Sequence, residues 1–223
     1  MAGKEEERVI PKRRNGVYYL NGNEYTSVTK VLGDTLNKPA LLYWGEKMAA
    51  EIALKNPYLS AKEVIAEIQL YSKSTQKRGT YIHSLAEAMP DIKHLIDVDM
   101  VGCEGYVQAL QSFWTTHKPE ILGQEIELYS DKYGVAGRCD AVAKINGETW
   151  LLDWKSGKAI YPEVALQLAI YKDMLKDLGV IDVQHMGVVL LKEDGGFVFE
   201  EKTGELRDFL NVLEVFKWIK RRG

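Results

Sequence analysis

Asp140, Asp153 and Lys155 set two carboxylates and an amine within one short apolar stretch. Two apolar segments, 135–145 and 148–155, read as strands joined by Asn146-Gly147, the dipeptide that supplies both positive-φ positions of a type I′ hairpin turn. A two-residue loop sets Ile145 opposite Glu148, and counting back puts Asp140 directly opposite Asp153. Opposed residues of an antiparallel pair project to one face, and Lys155, two residues beyond Asp153, shares it. Trp150, Leu152 and Trp154 point to the other face. Like charges opposed in a sheet repel, and burying carboxylates is costly without compensation. A divalent cation compensates both, and hard oxygen ligands suit Mg²⁺ or Mn²⁺, with water and phosphate oxygens completing the shell. The alternative for the same residues is a structural Asp–Lys salt bridge beside an exposed Asp. Leu151 and Leu152 ahead of Asp153 argue instead for a buried strand, where idle charges are uncommon.

Asp140 followed by Asp153-Trp154-Lys155 resembles the signature of the PD-(D/E)XK nuclease superfamily in its D…DXK form. Gly137-x-x-Asp140, Asp153-x-Lys155-Ser156-Gly157 and Gln167-x-x-x-Tyr171 resemble its RecB-like exonuclease branch. The resemblance implies a restriction-endonuclease-like fold and metal-dependent hydrolysis of DNA phosphodiester bonds, with one or two Mg²⁺ or Mn²⁺ ions. Asp140, Asp153 and the carbonyl of Trp154 would be ligands, and Lys155 would orient or deprotonate the attacking water. His83, in Arg78-Gly79-Thr80-Tyr81-Ile82-His83, resembles the motif that supplies a histidine ligand; on sequence alone, a lone helical histidine is more often structural or exposed. By resemblance Glu125 adds an acid before the hairpin, although Glu127 would serve as well. Gln167 and Tyr171, one helical turn apart, would orient Lys155 and contact the DNA backbone. The hairpin register places Arg138 opposite Lys155, where it could touch phosphate or spread a salt bridge. The implied partners are single-stranded or end-containing DNA and proteins of recombination or replication.

These residues need elements to hold them. Residues 1–15 are charged and aperiodic and read as a mobile tail. Val17–Leu20 and Glu24–Thr26, around Asn21-Gly22-Asn23, read as a small hairpin, with Ser27 capping a short helix through Leu32. Pro39 opens a helix through Leu54, with Leu42, Met48, Ala49 and Ile52 as its packing face. Ser60-x-x-Glu63 is a capping box for a helix over 61–71, followed by separate helices over 76–88 and 100–114. Residues 121–130 make a strand leading into the hairpin. Pro162 opens a helix that Gly179 ends, strands follow at 183–191 and 197–200, and Thr203 caps a last helix. That helix packs through Leu206, Phe209, Leu213, Phe216 and Trp218. The expectation is one α/β (α+β) domain over 16–223: a mostly helical N-terminal half, 16–118, wrapped on a mixed sheet in 119–223 flanked by helices.

Composition narrows the class. At 46% hydrophobic and 27% charged over 223 residues, the chain suits an ordinary globular domain. It has no apolar run near the ~20 residues of a membrane span, and MAGKEEERVIPKRRNG carries no secretory h-region, so no membrane partner and a cytoplasmic location are expected (the host cytoplasm for a phage protein). The 2 cysteines, Cys103 and Cys139, fit a reducing compartment and cannot hold an iron–sulfur cluster on four thiolates. Net charge is −3, with basic runs at Lys12-Arg13-Arg14, Lys73–Arg78 and Lys217–Arg222. That balance argues against tight nonspecific binding along a duplex and favours a protein that meets DNA at an end. No H-E-x-x-H, G-x-S-x-G, Walker A or G-x-G-x-x-G sequence offers a competing chemistry.

Overall fold

A computed structural model describes residues 12–89, 102–179 and 181–222. The fold is α/β, with six helices and one mixed sheet among the described residues. Three Asn-Gly pairs set three of its hairpins. Asn15-Gly16, Asn21-Gly22 and Asn146-Gly147 all have positive φ at both residues, the geometry that matches strand twist. The first joins β1 (Lys12–Arg14) to β2 (Val17–Leu20), and the second joins β2 to β3 (Asn23–Ser27). Residues 12–14 therefore belong to the sheet and not to a tail; the tail expected over 1–11 lies outside the described residues.

Ser27 caps α1 (Val28–Thr35), its hydroxyl accepting from the Lys30 N–H. Pro39 opens α2 (Pro39–Lys55), but that helix buries nothing fully. Leu42 is exposed, and only Met48, Ala49 and Ile52 of the expected packing face are half-buried. The capping box at Ser60 and Glu63 forms, and it starts one continuous helix, α3 (Ala61–Glu87), where two were expected. Nothing between 71 and 76 is a Gly or Pro breaker, and the Ser74 and Thr75 hydroxyls donate back to the Tyr71 carbonyl within the helix. The next helix, α4, spans Glu104–His117; its expected start near Met100 lies outside the described residues.

The long strands follow: β4 (Glu120–Ser130), β5 (Val135–Ile145) and β6 (Glu148–Lys155), then α5 (Glu163–Asp177), β7 (His185–Leu191), β8 (Phe197–Glu201) and α6 (Leu206–Arg222). The order across the sheet is β1-β2-β3-β5-β6-β7-β8, with β4 on the remaining edge of β5. The last helix begins at Leu206, three residues beyond the expected cap at Thr203. Trp218 lies outside the core at 53% exposure, with the Arg222 guanidinium over its ring.

The sheet is the middle of three layers. One face packs on α1, α5 and α6 through Val31, Leu168, Met174 and Phe209. The other packs on α3 and α4 through Ile82, Leu85, Leu110 and Phe113. Trp154 is fully buried in this second layer, between Phe113 and Trp114, so the hairpin's aromatic face is held rigidly. Burying side chains of that size dominates the stability of a layer. No helix among the described residues is long and apolar enough to cross a membrane.

Candidate active site

Because β4 occupies one edge of β5 along nearly its whole length, β3 and β6 must share the other edge. The parallel pairing with β3 covers Val135 and Ala136, and the antiparallel pairing with β6 runs from Ala141 to Ile145. Residues 137–140 lie in the fork between them. The expected hairpin register holds from Ile145–Glu148 to Ala141–Leu152 and stops there. Beyond it the Asp140 side chain takes over: its Oδ2 accepts from the backbone N–H of Trp154 at 2.8 Å. Asp140 and Asp153 are thus neighbours at the end of the ladder rather than a ladder pair.

The side chains also exchange faces at this point. Ile126, Leu128, Cys139 and Val142 pack in the first layer, whereas Ile121, Ala141 and Ala143 pack in the second. Simple alternation would keep Cys139 and Ala141 together. The exchange is centred on Asp140 and on Glu125, whose neighbours Gln124 and Ile126 pair with Ala141 and Cys139. Glu125 itself sits in the left-handed region at φ 49°, a conformation that costs a non-glycine residue on the order of 1–3 kcal/mol and tends to persist at functional sites.

Glu125, Asp140 and His83 of α3 form a cluster. One ligand-capable atom from each lies within 4.8 Å of the other two. His83 Nδ1 is 3.5 Å from Asp140 Oδ1, and Arg138 Nε is 2.6 Å from Glu125 Oε2. Of the two candidate glutamates, Glu125 joins this trio; Glu127 pairs with Arg138 in the β4–β5 ladder and lines the same cavity. Arg138 is thereby committed to Glu125, not to a place opposite Lys155.

Asp153 lies on the same cavity but has its own partners. Lys155 Nζ is 2.6 Å from Oδ2, and Gln167 Nε2 of α5 donates to Oδ1 at 3.3 Å. The ammonium is the partner of the buried Oδ2. Gln167 therefore orients Asp153 rather than Lys155. Tyr171, one turn on, is 3% exposed. Its ring occupies the space where a Cβ on Gly137 would stand, about 2.5 Å from the Tyr171 hydroxyl and ring carbons. It is a wall of the cavity and not an exposed contact for a DNA backbone.

The electrostatics follow from burial. Desolvation pushes the Asp153 carboxyl up to about 6, against the pull of Lys155 and with the help of Asp140. Burial alone would lower Lys155, but the charges of Asp153 and Asp140 override it and hold the ammonium above its ordinary value. His83 behaves alike: burial lowers it, the hydrogen bond and charge of Asp140 raise it more, and the net direction is up. Glu125 is raised by burial, with Arg138 opposing.

Can these residues hold the expected ion? One imidazole nitrogen and two carboxylates within reach of each other are a chemically sound donor set for Mn²⁺ or Mg²⁺. Asp153, paired with Lys155, is a further carboxylate on the same cavity. To the expected His83, Asp140, Asp153 and Trp154 set the trio adds Glu125; Asp153 is held by Lys155, and the Trp154 N–H, on the strand edge that its carbonyl shares, reaches Asp140. The cavity itself is about 680 Å³ and open to solvent. Gln76, Thr80, Ser84 and Glu87 line it from the His83 side of α3, a polar stripe at helical spacing that reads in sequence as a solvated face.

No family model matches the chain, and no curated protein matches it. Among solved structures, one titled "Crystal structure of SSO0001" aligns over 77% of this chain and 70% of its own at 14% identity and a TM-score of 0.34. A likeness of that size carries no argument about fold or activity.

Proposed function

We propose that this protein is a metal-dependent DNA exonuclease that hydrolyses phosphodiester bonds from single-stranded or frayed ends. The observation that carries the reading is the convergence of Asp140, Asp153, Lys155, Glu125 and His83 on one open cavity at the fork of the sheet. His83, Glu125 and Asp140, with Asp153 beside them, would hold Mg²⁺ or Mn²⁺. Such an ion, when bound, lowers the pKa of a water and neutralises charge on the phosphate. Lys155 orients that water and presents a positive charge to the oxygens of the transition state, where preorganised charge has its largest effect. Gln167 fixes the Asp153 carboxylate, and the Trp154 N–H fixes Asp140, so neither acid must reorganise during reaction. The water oxygen forms the new P–O bond as the bond to the departing nucleoside oxygen breaks, and that oxygen takes up a proton.

The ion pair that Asp153 makes with Lys155 favours a second reading, a module that binds DNA ends without cutting. Incubating end-labelled linear single-stranded DNA with protein and Mn²⁺, with an EDTA control and a covalently closed single-stranded circle, separates these readings. Loss of label from the linear form only, abolished by EDTA, is expected. Equal cleavage of the circle would reject the exonuclease, and end binding without cleavage would favour the second reading.

A further inference from the structure

A second cavity, of about 230 Å³, lies on the other side of Lys155 and shares Lys155, Gln167 and Thr29 with the reaction cavity. We propose that it receives one unpaired nucleobase with its sugar, the nucleoside next to the phosphate being cut. The inference rests on the nuclease reading and names the substrate group that its site takes.

Three observations point to this ligand. The shared residues make the two spaces neighbours, with Lys155, Gln167 and Thr29 between them, so a molecule with its phosphate at Lys155 has the second cavity beside it. Its floor is apolar: Leu32 of α1 and Val164 of α5 are each 3% exposed, and Ile160 is half-buried. At its edge Tyr161 is 48% exposed, an aromatic ring without an aromatic partner among the described residues. An apolar slot carrying an open aromatic ring beside a phosphate site is the surface on which a base stacks, whatever its sequence. Of the charged groups that line it, Lys38 and Glu163 offset each other at 2.9 Å, and Lys155 stands at the side toward the reaction cavity.

Size then selects the substrate. The space is below the ~300 Å³ at which pockets for drug-sized ligands begin. It admits one base and sugar, with walls from α1 and α5 on two of its sides. A base still paired would carry its partner into those walls. The slot therefore demands that the end be single-stranded or frayed before its phosphate reaches Lys155, a physical origin for single-strand preference.

The test places 2-aminopurine at successive positions from the end of a short single-stranded oligonucleotide, with full-length protein and Ca²⁺ in place of Mn²⁺. Quenching should peak at one position near the end. Tyr161→Phe should keep it, and Tyr161→Ala should lose it and weaken oligonucleotide binding roughly tenfold. Filling the slot with Ile160→Trp should raise KM on linear single-stranded DNA while leaving kcat within about twofold, since neither residue touches the reacting atoms. Quenching without cleavage in Mn²⁺ would leave the slot standing and overturn the nuclease. Cleavage with no position-specific quenching, or with KM unchanged in both Tyr161→Ala and Ile160→Trp, would overturn the slot and leave the nuclease.

Discussion

Asp140 Oδ2 accepts the backbone N–H of Trp154 at 2.8 Å, so one oxygen of this carboxylate replaces the missing ladder bond between β5 and β6. Its other oxygen faces His83. One side chain thus closes the sheet and supplies the site.

That division separates two substitutions. Asp140→Ala leaves the buried Trp154 N–H without an acceptor, which costs about 1–3 kcal/mol, or roughly 3–10 °C in Tm for a chain this long. Asp140→Asn keeps an acceptor and loses only the charge. Its Tm should stay near that of the parent, while cleavage falls by at least ~100-fold for want of a metal charge. Thermal melts of the two variants beside Mn²⁺-dependent cleavage assays check both halves. Equal Tm loss in both would deny Asp140 its structural role.

How much of this was legible beforehand depends on what sets each feature. Asn146-Gly147 fixes the register of the hairpin, so Asp140, Asp153 and Lys155 could be brought to one end of it from spacing alone. The same signal at Asn15-Gly16 is masked by the charges around it, which give β1 the composition of a tail. The face exchange at Glu125 and Asp140 has no mark in sequence, because a glutamate gives no sign of a left-handed backbone. Helical spacing put Gln167 and Tyr171 on one face but could not say which carboxylate the amide would reach. Gly137 looked like a motif letter; the ring of Tyr171 shows the space it leaves.

Lys155 pairs with Asp153 rather than with the His83 trio, and this gives its substitution an asymmetric outcome. Lys155→Ala should lower single-turnover cleavage by roughly 10²–10⁴-fold, the range for losing a group that acts on the attacking water. Mn²⁺ affinity by calorimetry should hold or tighten, since Asp153 is left with an uncompensated charge. Collapse of Mn²⁺ binding with normal chemistry at saturating metal would reverse the assignment.

Acid should stabilise the metal-free protein at this site. Asp153 rises from an ordinary 3.8 to about 6, and His83 rises above 6.5. Both groups bind protons more tightly when folded, so their contribution is full below the unfolded values and is lost as pH climbs through the folded ones. In EDTA at fixed ionic strength, Tm should fall between pH 4 and 8, with Asp153 contributing on the order of 5 °C to the part up to about 6. Asp153→Asn should shrink that lower part, which Glu125 and Glu127 share, and replacing His83 should shrink the upper part, which His185 shares. A Tm that rises through this window in the parent, or an identical slope in Asp153→Asn, would contradict the burial of Asp153 as its cause.

His83 gives the most selective test of the metal reading. In the trio it is the single nitrogen donor beside the oxygens of Glu125 and Asp140. Imidazole is a better partner for Mn²⁺ than for Mg²⁺, which favours oxygen shells. The parent should therefore reach half-maximal cleavage at lower Mn²⁺ than Mg²⁺. His83→Ala should lose most activity and lose the Mn²⁺ advantage with it, because the two remaining carboxylates prefer neither ion strongly. Cleavage by the parent should also weaken as pH falls through the range where imidazole binds a proton, since a protonated ring cannot ligate and a bound ion must displace that proton. The acid limb should move in His83→Ala, leaving only the carboxylates to titrate. A variant with an unchanged ratio of Mn²⁺ to Mg²⁺ activity and an unchanged acid limb would return His83 to α3 as a half-buried packing residue, and the acids with Lys155 would be the whole site.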